Sequence, residues 1–194
     1  MGKDRLEAFS DGVLAIIITI MVLELKVPHG EAVATLAPLV PALLSYVLSF
    51  VYVGIYWNNH HHMLHTSMRV TGPVLWANMH LLFWVSLLPL ATGWMGENHF
   101  ARLPSALYGA VLLFTAIAYW LLQRAILAAE GPGSILAVAV GPDWKGKVSL
   151  VLYPIAILST VWLVWFAQAI YVVAALIWVI PDRRIERALS RRAT

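Results

Sequence analysis

The chain has 194 residues, of which 61% are hydrophobic and 12% charged, with a mean hydropathy of +0.79. A soluble domain of this length has too small an interior to hide so much apolar side chain, so the composition excludes a water-soluble enzyme or binding module and predicts an integral membrane protein. The formal charge is +3 and there is no cysteine, which removes disulfides and thiolate metal sites; the basic residues fall mostly at helix ends and in the tail, so no nucleic-acid partner is expected.

The first apolar segment runs from Phe9 to Val27, 19 residues. At the helical rise that is ~28 Å, close to the hydrocarbon thickness of a bilayer. It continues into Glu24-Leu25-Lys26-Val27-Pro28 with no small-residue cleavage site, which argues against a signal peptide. It also carries a carboxylate, Asp11, which must be held by partners or lie on a functional pathway.

Further apolar runs bounded by Pro, Gly or charge predict spans near 35–57, 74–95, 104–127, 148–163 and 167–180, giving one six-helix unit over residues 1–194. Pro104 suits the first turn of the fourth helix. Val148 to Ile180 is nearly uninterrupted, and its 33 residues would measure ~50 Å as one helix, so a tight turn is expected around Trp165–Gln168. The segment 128–147 reads as a loop with a short apolar patch, Ile135 to Val140, and the tail after Pro181 as basic and solvated. With both termini in the cytoplasm, 11 basic residues fall inside and only Lys26 and Arg102 outside, a strong positive-inside bias. Trp57, Trp94, Trp144 and Trp178 lie near span ends, as belt aromatics do.

At 100° per residue, Phe9, Ile16, Ile20, Leu23 and Val27 share one face of the first helix, Thr19 lies on its flank, and Asp11 points to nearly the opposite side. A bulky aliphatic stripe has the same appearance on a lipid-facing helix, so periodicity alone does not assign it. Asp11 has candidate company at its own depth: Ser10, Asn58, Asn59, the histidines 60, 61, 62 and 65, Asn78 and His80 can meet in a polar layer that fixes helix docking. Arg5 is six residues from Asp11, a poor helical spacing for a pair, so each is expected to find its partner on another helix or subunit. The spacings of His61 and His62 to His65 permit shared metal coordination, but no HExxH pattern or adjacent carboxylate accompanies them, and hydrogen bonding is the preferred reading.

Arg5-x-x-x-Phe9-Ser10-Asp11 followed by Ile16-Ile17-Ile18-Thr19-Ile20-Met21 resembles the signature of the transmembrane-protein-175 potassium-channel family, specifically its short bacterial members. Tyr56-Trp57 with His61-His62, Trp76 and Asn78, Ser86-Leu87-Leu88-Pro89 and Ile180-Pro181-Asp182-Arg183-Arg184 extend the resemblance over most of the chain. The resemblance implies an all-α homotetramer in the bacterial plasma membrane, with the first helix of each subunit lining a central pore. It implies potassium as the transported ion, no cofactor, and no carbonyl filter; the chain lacks the TVGYG sequence. It places the constriction at Ile16, Ile20 and Leu23 with Thr19 as a polar ring, and gives Arg5, Phe9, Ser10, Asp11, Asn78, His61 and His62 to a structural network around the cytoplasmic mouth.

The alternative is a secondary transporter of small cations or protons, with Pro89 and Pro154 breaking helices near a midplane site. Against it, the charges expected within the membrane, Asp11 and Glu24, both lie near helix ends. An intramembrane enzyme has less support, since no paired carboxylates, HExxH or Ser/His/Asp set share a depth.

Overall fold

The computed structural model describes residues 2–65, 67, 69–131, 134, 136–137 and 143–179. Helix α1 covers Lys3–Leu23; a 3-10 segment, Val33–Leu39, leads into α2, Val40–His65; then come α3 (Gly72–Ser86), α4 (Leu88–Glu97), α5 (Arg102–Glu130), α6 (Trp144–Ser159) and α7 (Val164–Val179). No strand occurs among the described residues. Helices α3 and α4 form one membrane-length unit bent at Leu87, because Pro89 in the first turn of α4 has no N–H to continue the ladder of α3. The fold is therefore all-α, with six helical units.

Among the described residues, four of those units are long and apolar enough to cross a membrane: Lys3–Leu23, Val33–His65, Gly72–Glu97 and Arg102–Glu130. Helices α6 and α7 have 16 described residues each, ~24 Å of helix.

Helix α5 is the hub, packed on α3, α4 and α6, while α7 closes against α6 and α2. The middle of the bundle is held by tyrosines from four helices: Tyr52, Tyr108, Tyr153 and Tyr171 are all fully buried. Their hydroxyls have partners. Thr92 donates to Ser49 Oγ at 2.7 Å, Ser49 donates to the Tyr108 hydroxyl at 3.0 Å, and Tyr52 donates to the Tyr171 carbonyl at 2.6 Å. Hydrocarbon gives no hydrophobic drive for helix association, so such bonds and close packing of small residues supply it. Gly96 and Gly109 provide that close approach, Gly96 against Ser45 and Ala42 on α2, and Gly109 against Tyr171 on α7. At the end of α5, Glu130 accepts the Arg69 backbone N–H at 2.8 Å and the Ser67 hydroxyl at 3.1 Å, which fastens the α2–α3 connection.

Helix α1 lies at the edge, packed on α2, α3 and α4. It starts six residues before the expected Phe9 and ends four before Val27, with Glu24 as its C-cap. Val27 is thus outside the helix and drops from the helical stripe. Helix α2 runs past the apolar span's end at Trp57 to His65, so the histidines lie on it. The expected turn at Trp165–Gln168 is corrected: the chain turns at residues 160–163, where α6 ends in a series of short backbone bonds such as Leu163 N–H to the Ser159 carbonyl at 2.7 Å. Apolar periodicity has no marker for that turn, because every residue from Val161 to Phe166 is apolar. The basic tail after Pro181 and most of the patch Ile135–Val140 lie outside the described residues.

Candidate functional site

The buried side of α1 consists of Leu6, Ser10, Leu14, Ile17 and Met21, spaced three or four residues apart. The other side is uncovered. Phe9, Ile16, Ile20 and Leu23 are all exposed, Ile16 by 59% and Leu23 by 76%. Thr19 is exposed on their flank, its hydroxyl donated to the Ala15 carbonyl at 3.0 Å. The helix is therefore clamped along one side by its own subunit and presents the aliphatic stripe away from it.

Two sets of polar contacts make the clamp. The first is a ladder between α1 and α2, one rung per helical turn. Lys3 Nζ donates to the His65 carbonyl at 2.8 Å, Glu7 pairs with His61 Nδ1 at 2.7 Å, and Trp57 Nε1 donates to Asp11 Oδ1 at 3.0 Å. Residues 3, 7 and 11 face 65, 61 and 57 in antiparallel register. The rings of Trp57, His61 and His65 stack in the same order, with centroids 6.2 and 6.0 Å apart.

The second set is buried beneath the ladder. Ser10 donates to the Leu6 carbonyl at 2.8 Å and accepts from Asn78 Nδ2 at 3.0 Å, and Asn78 Oδ1 lies 2.7 Å from His60 Nε2. The donor order fixes the tautomer: Asn78 presents an oxygen to His60, so Nε2 carries the proton. Ser10, Asn78 and His60 are almost fully buried, and this line of bonds ties α1, α3 and α2 together.

Among the residues assigned from sequence, Ser10 and Asn78 meet in this buried line and Asp11 joins the ladder. Asp11's partner is an indole, not the asparagine, histidine or Arg5 that were considered. His61 is on the ladder with Glu7, and His62 is half-buried beside it; His60 takes the buried place against Asn78. Three consecutive histidines step by 100° around a helix, so only the docking of α3 selects which one faces Asn78. Asn58 is exposed, Asn59 bonds the Ile55 carbonyl at 2.8 Å, and His80 accepts from Trp84 at 3.0 Å, so none of them joins the layer. Arg5 is exposed and forms no ion pair among the described residues. His60 is expected in the layer with the other histidines but is not singled out by the sequence; Glu7 and Trp57 were the residues missed. Their signal was present, since 3, 7, 11 and 57, 61, 65 each carry a polar or aromatic group once per turn. No group of three or more potential metal ligands occurs among the described residues.

The helices and their apolar lengths define a multi-pass helical membrane protein. The family model described as endosomal/lysosomal potassium channel TMEM175 matches residues 5–89, the stretch that holds the stripe and, except for Lys3, both polar contact sets. A potassium channel of Chryseobacterium sp. is 53% identical over 190 residues, 98% of this chain and 99% of that one. A potassium channel of Chamaesiphon minutus is 36% identical over 124 residues, 59% of this chain and 61% of that protein. The human endosomal/lysosomal proton channel TMEM175 is 35% identical over 116 residues, 54% of this chain but 23% of that longer protein. The crystal structure of a lysosomal potassium-selective channel TMEM175 homolog from Chamaesiphon minutus superposes with a TM-score of 0.80 at 28% identity, covering 93% of this chain and 97% of that one. The chain belongs to the TMEM175 family.

Proposed function

We propose that this protein is a bacterial plasma-membrane potassium channel, a homotetramer of single six-helix units in which α1 from each subunit lines a central pore. The observation that carries this reading is the uncovered aliphatic stripe on a helix otherwise fastened by four polar contacts to α2 and α3 of its own subunit. A helix held so firmly is a fixed wall, and one wall per chain surrounds an axis only when copies assemble in closed symmetry. Ile16, Ile20 and Leu23 then stack as aliphatic rings, Thr19 adds a hydroxyl ring, and the constriction works by excluding water, without a carbonyl filter. Both termini face the cytoplasm in this reading, as the distribution of Lys and Arg requires.

Potassium is the ion in the names of the bacterial relatives, and proton is the ion in those of the vertebrate ones. The test is reconstitution into liposomes with an imposed potassium gradient, read once by an internal potassium dye and once by an internal pH dye. Potassium flux that responds to voltage supports the channel. Obligatory one-for-one exchange of protons for potassium would instead support a transporter, whose helix break at Leu87 would then mark its site.

A further inference from the structure

We infer that Arg5 forms a positively charged ring at the amino-terminal mouth of the pore, and that this ring restrains cation entry from that side. The inference rests on the reading of α1 as the pore-lining helix. Arg5 precedes Ile16 by 11 residues, three helical turns and about 20° more, so it stands on the same stripe as Phe9, Ile16, Ile20 and Leu23. It lies ~16 Å along the axis from Ile16, outside the aliphatic rings. The other charges of α1 point elsewhere. Lys3, Glu7 and Asp11 are engaged with α2, and Asp4 is turned about 120° from the stripe. Arg5 is thus the one charge on the uncovered face of α1, it is exposed, and it has no ion-pair partner among the described residues.

A guanidinium does not deprotonate at physiological pH, so the ring stays charged, and the amino-terminal end of the helix dipole adds to its field. Four unit charges about 8 Å from the axis, screened at physiological ionic strength, deplete a monovalent cation at the mouth roughly threefold. In 1 M salt the screening length falls to about 3 Å and the depletion nearly disappears. The ring therefore gives the channel a salt-dependent rectification: ions entering past Arg5 carry less current than ions entering from the far side.

The absence of cysteine from the chain makes the charge adjustable at one position. In single-channel recordings at 0.15 M KCl, Arg5→Cys is expected to raise the current entering from the amino-terminal side about threefold. A cationic methanethiosulfonate applied to that side should restore the wild-type current, and an anionic one should raise it further, with all three differences vanishing at 1 M KCl. Insensitivity of Arg5→Cys to both reagents, while Ile16→Asn still alters the current, overturns the ring and leaves the pore assignment standing. If Ile16→Asn is inert as well, the pore assignment itself has failed. Should Arg5→Cys not assemble, the wild-type channel alone decides: the ratio of the two current limbs must change about threefold between 0.15 and 1 M KCl, and a constant ratio overturns the inference.

Discussion

Trp57 donates its indole N–H to Asp11 at 3.0 Å, so the carboxylate inside the first span is held by an aromatic side chain from the next helix. The bond is half-exposed, which puts its worth at the low end for a charged acceptor, about 1 kcal/mol. Trp57→Phe keeps the ring stacked on His61 and removes the donor, and should lower thermal stability in detergent by about that amount. Asp11→Asn should do the same while leaving the potassium-to-sodium flux ratio unchanged. A variant that assembles normally but loses cation preference would make Asp11 a pore residue, contrary to its place on the clamped side of α1.

The buried line from Leu6 through Ser10 and Asn78 to His60 has one donor direction, so its middle member is the most sensitive. Asn78→Leu fills similar volume but leaves the His60 N–H without an acceptor and Ser10 without its donor. Each buried orphan costs about 1–3 kcal/mol, and the variant should lose a large part of its assembled fraction on size-exclusion chromatography. Ser10→Ala removes an end and should cost less. Equal stability of Asn78→Leu and wild type would show that α1 is not held by this line.

Gly96 sits where a Cβ would meet Ser45 Oγ and the Ala42 Cα at 2.7 Å. The neighbour is backbone and cannot swing aside, so Gly96→Ala should separate α2 from α4 and cost about 1–3 kcal/mol. Heating purified protein and following the surviving monodisperse fraction reads this directly. Gly12, with nothing within 4 Å of an added Cβ in the subunit, is the control within one chain: Gly12→Ala should be neutral for the subunit's stability.

How much of this was legible beforehand follows from what periodicity encodes. The two sides of α1 were readable, because a stripe at Phe9, Ile16, Ile20 and Leu23 and a carboxylate at Asp11 need only the 100° step. So were the membrane class and the existence of six helical units. The place of the α6–α7 turn was not, since neither Pro, Gly nor charge marks residues 160–163. Nor was the selection of His60 over His61 and His62, which depends on the rotation of α2 against α3. The ladder's register depends on how α1 slides and turns against α2, which neither helix's own pattern specifies. Tertiary docking decides these points, and a single helix's pattern does not contain it.

The proposed constriction gives the last prediction. Ile16, Ile20 and Leu23 are separated by about one turn each, so in an assembled ring they stack over ~10 Å of axis. Aliphatic rings at close approach expel water, and a permeating ion must shed part of its hydration shell there. Ile16→Asn places an amide in the ring, should wet the constriction, and should raise potassium flux in liposomes severalfold. Leu23→Ala widens the ring and should bring sodium flux closer to potassium flux. Thr19 is on the flank with its hydroxyl bonded back to Ala15, so Thr19→Val should change the ion preference more than the barrier to flow. Leu121 on α5 is an exposed aliphatic on a helix that does not pack on the stripe, and Leu121→Ala is the control that should leave both fluxes alone. If Ile16→Asn and Leu23→Ala behave like Leu121→Ala, the stripe faces lipid and the ion path lies on another helix.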